Sequence, residues 1–350
     1  MCPVAAANAM HKTAAAMPKA RETRRGGIET GAAALGALMY LPWAVFAWAY
    51  YGTPIPHTIQ AKVSHYPPGE LTAAWLLYPW RLLVGHTAVH DVFMPAYWFF
   101  GGWPAFLGWV SRVLAVGAAL AWVVPGVRAP GRMASAAFFL GGLYVEYIPR
   151  SPWYYPGWQV LAYLAWAYLL DAAWQRAVLR PAVRIGVATA IAVQAAVFAC
   201  VAVQMRTQQA LIEDAQRTKI GTWLKTHAAA GDRVYLEPLG YIGFFSGLKM
   251  LDYPGLASPE VVAARRSGAK PHAALIRALM PQWLVLRPDQ IAGIRAADPA
   301  LLERDYGVAE VFDVRPAVAA VGLLPGRGYL EFDAFFAVFA KTRFDSNILP

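Results

Sequence analysis

Charge is scarce in this chain. Charged residues make up 15% of its 350 residues, whereas an average soluble domain has about 25%. With 58% hydrophobic residues and a mean hydropathy of +0.38, the composition is that of a membrane protein. Cysteine is nearly absent. Cys2 stands at the terminus and Cys200 inside an apolar run, so no disulfide is inferred. No 7–15-residue apolar core lies between the first charges and Gly31, which argues against a signal peptide. Residues 1–30 read instead as a disordered, basic cytoplasmic tail. No repeat of solenoid period is found. Gly240, Gly243 and Gly247 fit neither G-x-G-x-x-G nor G-x-x-x-x-G-K-[ST], so they read as turns and close packing, not as a phosphate loop.

What is abundant is tryptophan, at 14 residues, and positive charge, at a net +10. The excess charge has an address. Residues 1–204 hold 14 Lys+Arg against 6 Asp+Glu, while residues 205–350 hold 17 against 15. No basic face with interleaved aromatics occurs in the polar half, so nucleic acid is not expected as a partner. The excess is explained by topology. Apolar runs at about 31–51, 106–125, 133–149, 157–174 and 185–204 predict about five transmembrane helices. Lys12, Lys19, Arg21, Arg24, Arg25, Arg128, Arg132, Arg176, Arg180 and Arg184 then fall inside. Lys62, Arg81, Arg112 and Arg150 fall outside or at the outer boundary. The segment 71–84, broken by Pro79 and Arg81, predicts a helix lying in the interface.

The expected fold is therefore an α-helical integral membrane bundle followed by a small α/β extracytoplasmic domain. The expected divisions are 1–30, 31–204 with outer loops at 52–104 and 150–157, and 205–350. In the last part, residues 206–229 read as a helix. Strands are predicted near 234–238, 249–252, 283–286, 308–314 and 317–323, and helices at 258–267, 271–280 and 287–296.

The loop Tyr50-Tyr51-Gly52-Thr53-Pro54-Ile55-Pro56-His57-Thr58-Ile59-Gln60-Ala61-Lys62 follows the tryptophan-rich first run. It resembles a signature of bacterial GT-C glycosyltransferases, relatives of the dolichyl-phosphate-mannose mannosyltransferases, with His57 where asparagine is usual. Ser151-Pro152-Trp153-Tyr154-Tyr155-Pro156 and the stretch Leu239–Gly247 with Leu251–Leu256 are similar too. The resemblance implies an enzyme of the bacterial cytoplasmic membrane, multi-pass, with its N-terminus cytoplasmic. It implies transfer of a sugar from a polyprenyl-phosphate donor to an envelope glycan or lipid. The family's acidic outer loop has no counterpart here, so the chain resembles the C-terminal half of such an enzyme. On that reading the N-terminal half has been lost, is encoded elsewhere as a partner, or is cut off by a misassigned start. The alternative is a non-catalytic, membrane-anchored accessory or glycan-binding protein.

Sugar transfer needs a carboxylate for the acceptor proton, cations for the leaving phosphate and an aromatic-walled groove. Asp91 is the one outer-side aspartate of the membrane half and stands as the candidate base. Lys62, Arg81, Arg112 and Arg150 are candidate phosphate contacts. Each has a plainer alternative: a snorkelling or solvated cation, a headgroup contact, or a structural pair such as Glu146 with Arg150. His57 joins them as a binding candidate through the loop resemblance. Trp153, Tyr154 and Tyr155 read as an interfacial belt or a donor-pocket wall. Tyr241 and Asp252 read as acceptor contacts or as fold maintenance. His86, His90 and Asp91 form H-x-x-x-H-D, but no third ligand position is fixed, so neither metal nor cofactor is expected.

Overall fold

Aromatic side chains seated on glycines hold the helical part of the protein together. The computed structural model describes residues 35–36, 38–50, 52–54, 58, 61, 68–147, 152–322 and 324–342. Residues 61–350 form one compact unit, and the residues before them a second. Within the first unit lies an apolar helix, α1 (Leu38–Tyr50). The second unit begins with α2 (Pro68–Val84), which continues through Pro79. Two 3-10 turns follow, Ala88–Phe93 and Trp98–Phe100, then α3 (Phe106–Leu120), α4 (Ala129–Tyr147) and α5 (Tyr155–Trp174).

In α4, Gly142 receives the Tyr78 ring of α2, and a Cβ there would lie 2.0 Å from the Tyr78 hydroxyl oxygen. That hydroxyl donates to the Phe139 carbonyl at 2.9 Å. Trp158 of α5 repeats the device: its ring covers Gly141, and its Nε1–H donates to the Phe138 carbonyl at 2.8 Å. Large rings thus supply apolar area while their polar tips are satisfied on backbone. Tyr78, Leu82, Val92, Phe138 and Trp158 form this core together with alanines of α3 and α5.

Two helices, not about five, are long and apolar enough to cross a membrane among the described residues. They are Phe106–Val123 and the 51-residue run Ala177–His227. The expected spans at 133–149 and 157–174 coincide with α4 and α5. At 19 and 20 residues these are long enough, but they are too polar. Arg132, Ser135 and the glycines dilute α4; Gln159, Asp171 and four tyrosines and tryptophans beyond the first turn dilute α5. The five-span membrane bundle is therefore corrected to a helical part with two candidate spans, joined to a part built on a mixed five-stranded sheet.

The 51-residue run is continuous. It contains α6 (Arg180–Gln208), a nine-residue π-helical segment (Gln209–Arg217) and α7 (Thr218–His227). None of its most apolar eighteen residues is buried. It delivers the chain to the sheet, whose order is β2-β1-β3-β5-β4. Strands β1 (Arg233–Leu236), β2 (Lys249–Asp252) and β3 (Trp283–Leu286) run parallel. The strand β5 (Phe335–Lys341) is antiparallel to β3 and to the edge strand β4 (Tyr306–Asp313). Helices α8 (Leu239–Ser246), α9 (Pro259–Arg266), α10 (His272–Leu279), α11 (Pro288–Ala297) and α12 (Pro299–Asp305) connect them. The expected strand at 317–323 is a helix instead, α13 (Arg315–Ala320), opened by Pro316 at its first turn. The strand that completes the sheet, β5, was not foreseen. It is buried on both faces and so shows no alternation.

The chain turns from β1 outward to β2, then crosses back to β3. The carboxyl ends of β1 and β3 therefore form a topological switch point. Beside it, the Tyr235 hydroxyl lies 2.8 Å from His272 Nδ1, and the Tyr253 ring stacks on His272 at 3.8 Å. Burial, aided by the Arg265 charge, drives the His272 pKa down to about 4 from 6.5. The native state thus binds this proton less readily than the unfolded chain. Stability present above pH 6.5 is lost as pH falls toward 4, by up to about 2 kcal/mol after allowance for partial exposure. Melting temperatures from pH 7 to pH 4 should fall more steeply for the native protein than for His272→Gln. Equal acid losses in both would remove His272 as the cause.

Candidate functional site

A cleft of about 300 Å³ opens between the turn after α2 and the first two turns of α3. The turn is built by its own backbone. Thr87 is extended, and its N–H donates to His90 Nδ1 at 3.1 Å. That bond leaves the ring proton on Nε2, which donates to the Leu82 carbonyl at 2.9 Å. Both nitrogens of His90 are therefore occupied. Burial lowers its pKa, and the imidazole stays neutral. The Ser111 hydroxyl of α3 donates to the His90 carbonyl and ties the turn to that helix. His90 is a scaffold residue, not a free ligand.

Asp91 comes next, with only 3% of its surface exposed. Its Oδ1 lies 3.2 Å from Nε2 of His86, whose side chain is half exposed. Across the cleft, Arg112 of α3 anchors one guanidinium nitrogen on the Leu83 carbonyl at 2.8 Å, with the group 5.8 Å from the Trp109 ring centroid. Trp98 stands beside His86 at 6.1 Å and, with Trp109, lines the walls. A buried carboxylate with an imidazole neighbour thus shares the cleft with a guanidinium and two indoles. The arrangement offers a proton acceptor, an anion contact and stacking surfaces. Among the described residues, no group of three or more His, Cys, Asp or Glu is placed to hold a metal ion.

Asp91 and Arg112 meet in this cleft, with His86 and His90 of the same motif; Arg81, Trp153, Tyr154, Tyr155, Tyr241 and Asp252 are not among its lining residues. Arg81 sits half-buried in the last turn of α2. Trp153 is exposed, Tyr154 packs against the helical core, and Tyr155 is buried in it. Tyr241 of α8 exchanges hydrogen bonds with Gln209 at the start of the π segment. The Asp252 carboxylate is fully engaged: it accepts from the N–H groups of Leu256 and Ala257, at 2.6 and 3.0 Å, and from the Ser258 hydroxyl. It shapes the turn after β2. His57, Lys62 and Arg150 lie outside the described residues, as does the side chain of Glu146.

Sequence reasoning missed Trp98, which falls in the expected outer loop at 52–104, and Trp109, which falls in the apolar run at 106–125. It also missed a charged network at the carboxyl edge of β1 and β3. There Arg287 bridges Glu237 and Asp333, Asp333 also receives Arg217 of the π segment, and Arg217 bonds Glu213 at 2.6 Å. Gln290 donates to Glu237 at 2.7 Å, and Arg287 lies 4.2 Å over the Phe332 ring. Arg217 and Asp333 are 116 residues apart in sequence, so no local spacing announces the pair.

Residues 204–333 match a sequence family described as a domain of unknown function (DUF8728). That stretch takes in the end of α6, the π segment and the sheet up to the residues before β5. Neither a curated protein nor a solved structure matches the chain.

Proposed function

We propose that this chain is a membrane glycosyltransferase, or the C-terminal half of one, moving a sugar from a polyprenyl-phosphate donor to a cell-envelope acceptor. The observation that carries the reading is the cleft, which Asp91, His86, Arg112, Trp98 and Trp109 line together. In this reading the acceptor hydroxyl gives its proton to Asp91 as its oxygen bonds the anomeric carbon. The bond from that carbon to the phosphate oxygen breaks, and the polyprenyl phosphate leaves with the electron pair beside Arg112. His86 orients the carboxylate, and the indoles hold the sugar face.

The reading puts the protein in the bacterial cytoplasmic membrane. Arg176 before α6 and Arg180 and Arg184 in its first turns, with Arg128 and Arg132 after α3, would lie on the cytoplasmic side. The cleft and the sheet would then share the outer side. Contact between residues 97–103 and 326–332 is compatible with that placement.

Transfer from radiolabelled polyprenyl-phosphate sugars in membranes tests the proposal. Asp91→Asn should cut turnover roughly a hundredfold or more. Arg112→Ala should weaken use of the donor by about tenfold or more. Transfer at the native level by Asp91→Asn would sink the catalytic reading. With one carboxylate lining the cleft among the described residues, glycan binding without transfer is the second reading, and retained binding with no turnover in the native protein would favour it.

A further inference from the structure

Between the Asp91 turn and α3, the chain makes an excursion at residues 97–103, and the sheet-bearing part grips it. The grip is partly backbone on backbone. Gly326 N–H donates to the Gly102 carbonyl at 2.8 Å. A Cβ on Gly326 would run into the Trp103 ring at 2.5 Å. The short helix α14 (Gly328–Phe332) supplies rings. Tyr329 stacks on Tyr97 at 4.6 Å with only 10° between the planes, and it meets Phe100 edge-on at 4.8 Å. Phe332 meets Phe100 at 4.9 Å, and Arg287 braces Phe332 from behind. Gln204, near the end of α6, donates to the Gly326 carbonyl at 2.7 Å.

The gripped residues flank Trp98, which lines the cleft. Phe100 N–H bonds the Tyr97 carbonyl and Gly101 N–H bonds that of Trp98, so the three-residue turn moves as a unit. Tyr97 itself holds a left-handed backbone, with φ 59° and ψ 20°. A tyrosine keeps that conformation only where its surroundings enforce it. The Trp98 N–H closes a turn across it on the Pro95 carbonyl at 3.2 Å, and the stacked Tyr329 holds its ring.

We infer that the sheet-bearing part acts as a clamp on the cleft, with Tyr329 and Phe332 as positioning residues that hold Trp98 beside His86 by fixing Tyr97 and Phe100. The inference deepens the proposed function, resting on the cleft as the working site, but its geometry can be tested without substrate. The full chain, in lipid nanodiscs and labelled with 5-fluorotryptophan, gives separate fluorine resonances for Trp98 and Trp109, identified through Trp98→Phe and Trp109→Phe. Tyr329→Ala should displace or broaden the Trp98 resonance and leave Trp109 in place, while Tyr329→Phe, which keeps the stacking ring, should restore the native spectrum. An unmoved Trp98 resonance in Tyr329→Ala would overturn the clamp. So would equal displacement of both tryptophans, which would mark a general loosening of the fold. Failure of the catalytic reading would show instead in the Asp91 transfer assay, where this spectrum plays no part.

Discussion

Asp333→Ala is expected to destabilise the protein by about 3–5 kcal/mol. The carboxylate is 1% exposed and holds two buried cations. Its Oδ1 accepts from Arg287 Nε at 2.6 Å, and its Oδ2 accepts from Arg217. Burial works most strongly against the charge on Arg217, and Asp333, Tyr329 and Glu213 together outweigh it, so that the Arg217 pKa is raised. With Asp333 gone, Glu213 and Glu237 each retain one guanidinium, but the two cations then face a site emptied of its anion. The Asp333 backbone is engaged as well, its carbonyl accepting from Gln216 at 2.7 Å, so a new side chain cannot move the strand entry away. Urea unfolding of native and variant proteins in detergent, followed by circular dichroism, measures the loss. Removing Asp313, which pairs with Arg315 at the surface, serves as the control and should matter little. A loss under about 1 kcal/mol for Asp333→Ala would mean that water enters and hydrates the network.

Gly328→Ala should cost about 2–3 kcal/mol, and it should do so at the joint between the two parts, not within either. A Cβ at this position would sit 2.1 Å from the Phe100 carbonyl oxygen, 2.9 Å from its carbon and 3.1 Å from the Gly101 oxygen. All three are backbone atoms, so no rotamer change can make room. The Gly328 φ is not in the positive range, so the penalty comes from the clash and not from backbone strain. Because β5 and its neighbours do not depend on that contact, the sheet should stay folded while residues 97–103 lift away. Amide hydrogen exchange at Gly326, whose N–H is bonded to Gly102, reads the event directly. Faster exchange at Gly326 with unchanged protection at Leu284 and Val285 is the expected pattern. Native protection at Gly326 would show that the joint tolerates the methyl.

These two sites mark where the sequence stopped being readable. Strands β2 and β3 and the helices after them were legible because each is a short apolar run bounded by Gly, Pro or a cap. The last strand was not, since Phe335–Ala340 is an unbroken apolar run with no alternation and no turn residue immediately before it. The spans at α4 and α5 were overcounted because their length suits a crossing while the polar residues, tyrosines and tryptophans within them lower their hydropathy. Gly141 and Gly142, which seat Trp158 and Tyr78, mark α4 as a packed helix only once the structure is seen. In the cleft, charge singled out Asp91 and Arg112, and their being brought to one place depends on the turn at Thr87 and the tilt of α3. Trp98 and Trp109 carried no mark that separated them from the other tryptophans. The Asp333 network, assembled from residues of the π segment, β1, β3 and the approach to β5, had no local pattern at all.

The nine π-helical residues between α6 and α7 have a consequence for how the chain tolerates change in length. A helix advances about 100° per residue, so adding or deleting one residue turns everything downstream by that angle. Residues 209–217 set the phase between the apolar shaft and the sheet, and Glu213 and Arg217 point at their partners only in the present phase. A one-residue deletion there would tighten the segment toward an ordinary α-helix and swing the sheet about the shaft, carrying Tyr329 off Tyr97. The spacing between residues 204 and 220 is thus as much a part of the cleft's construction as the side chains that line it.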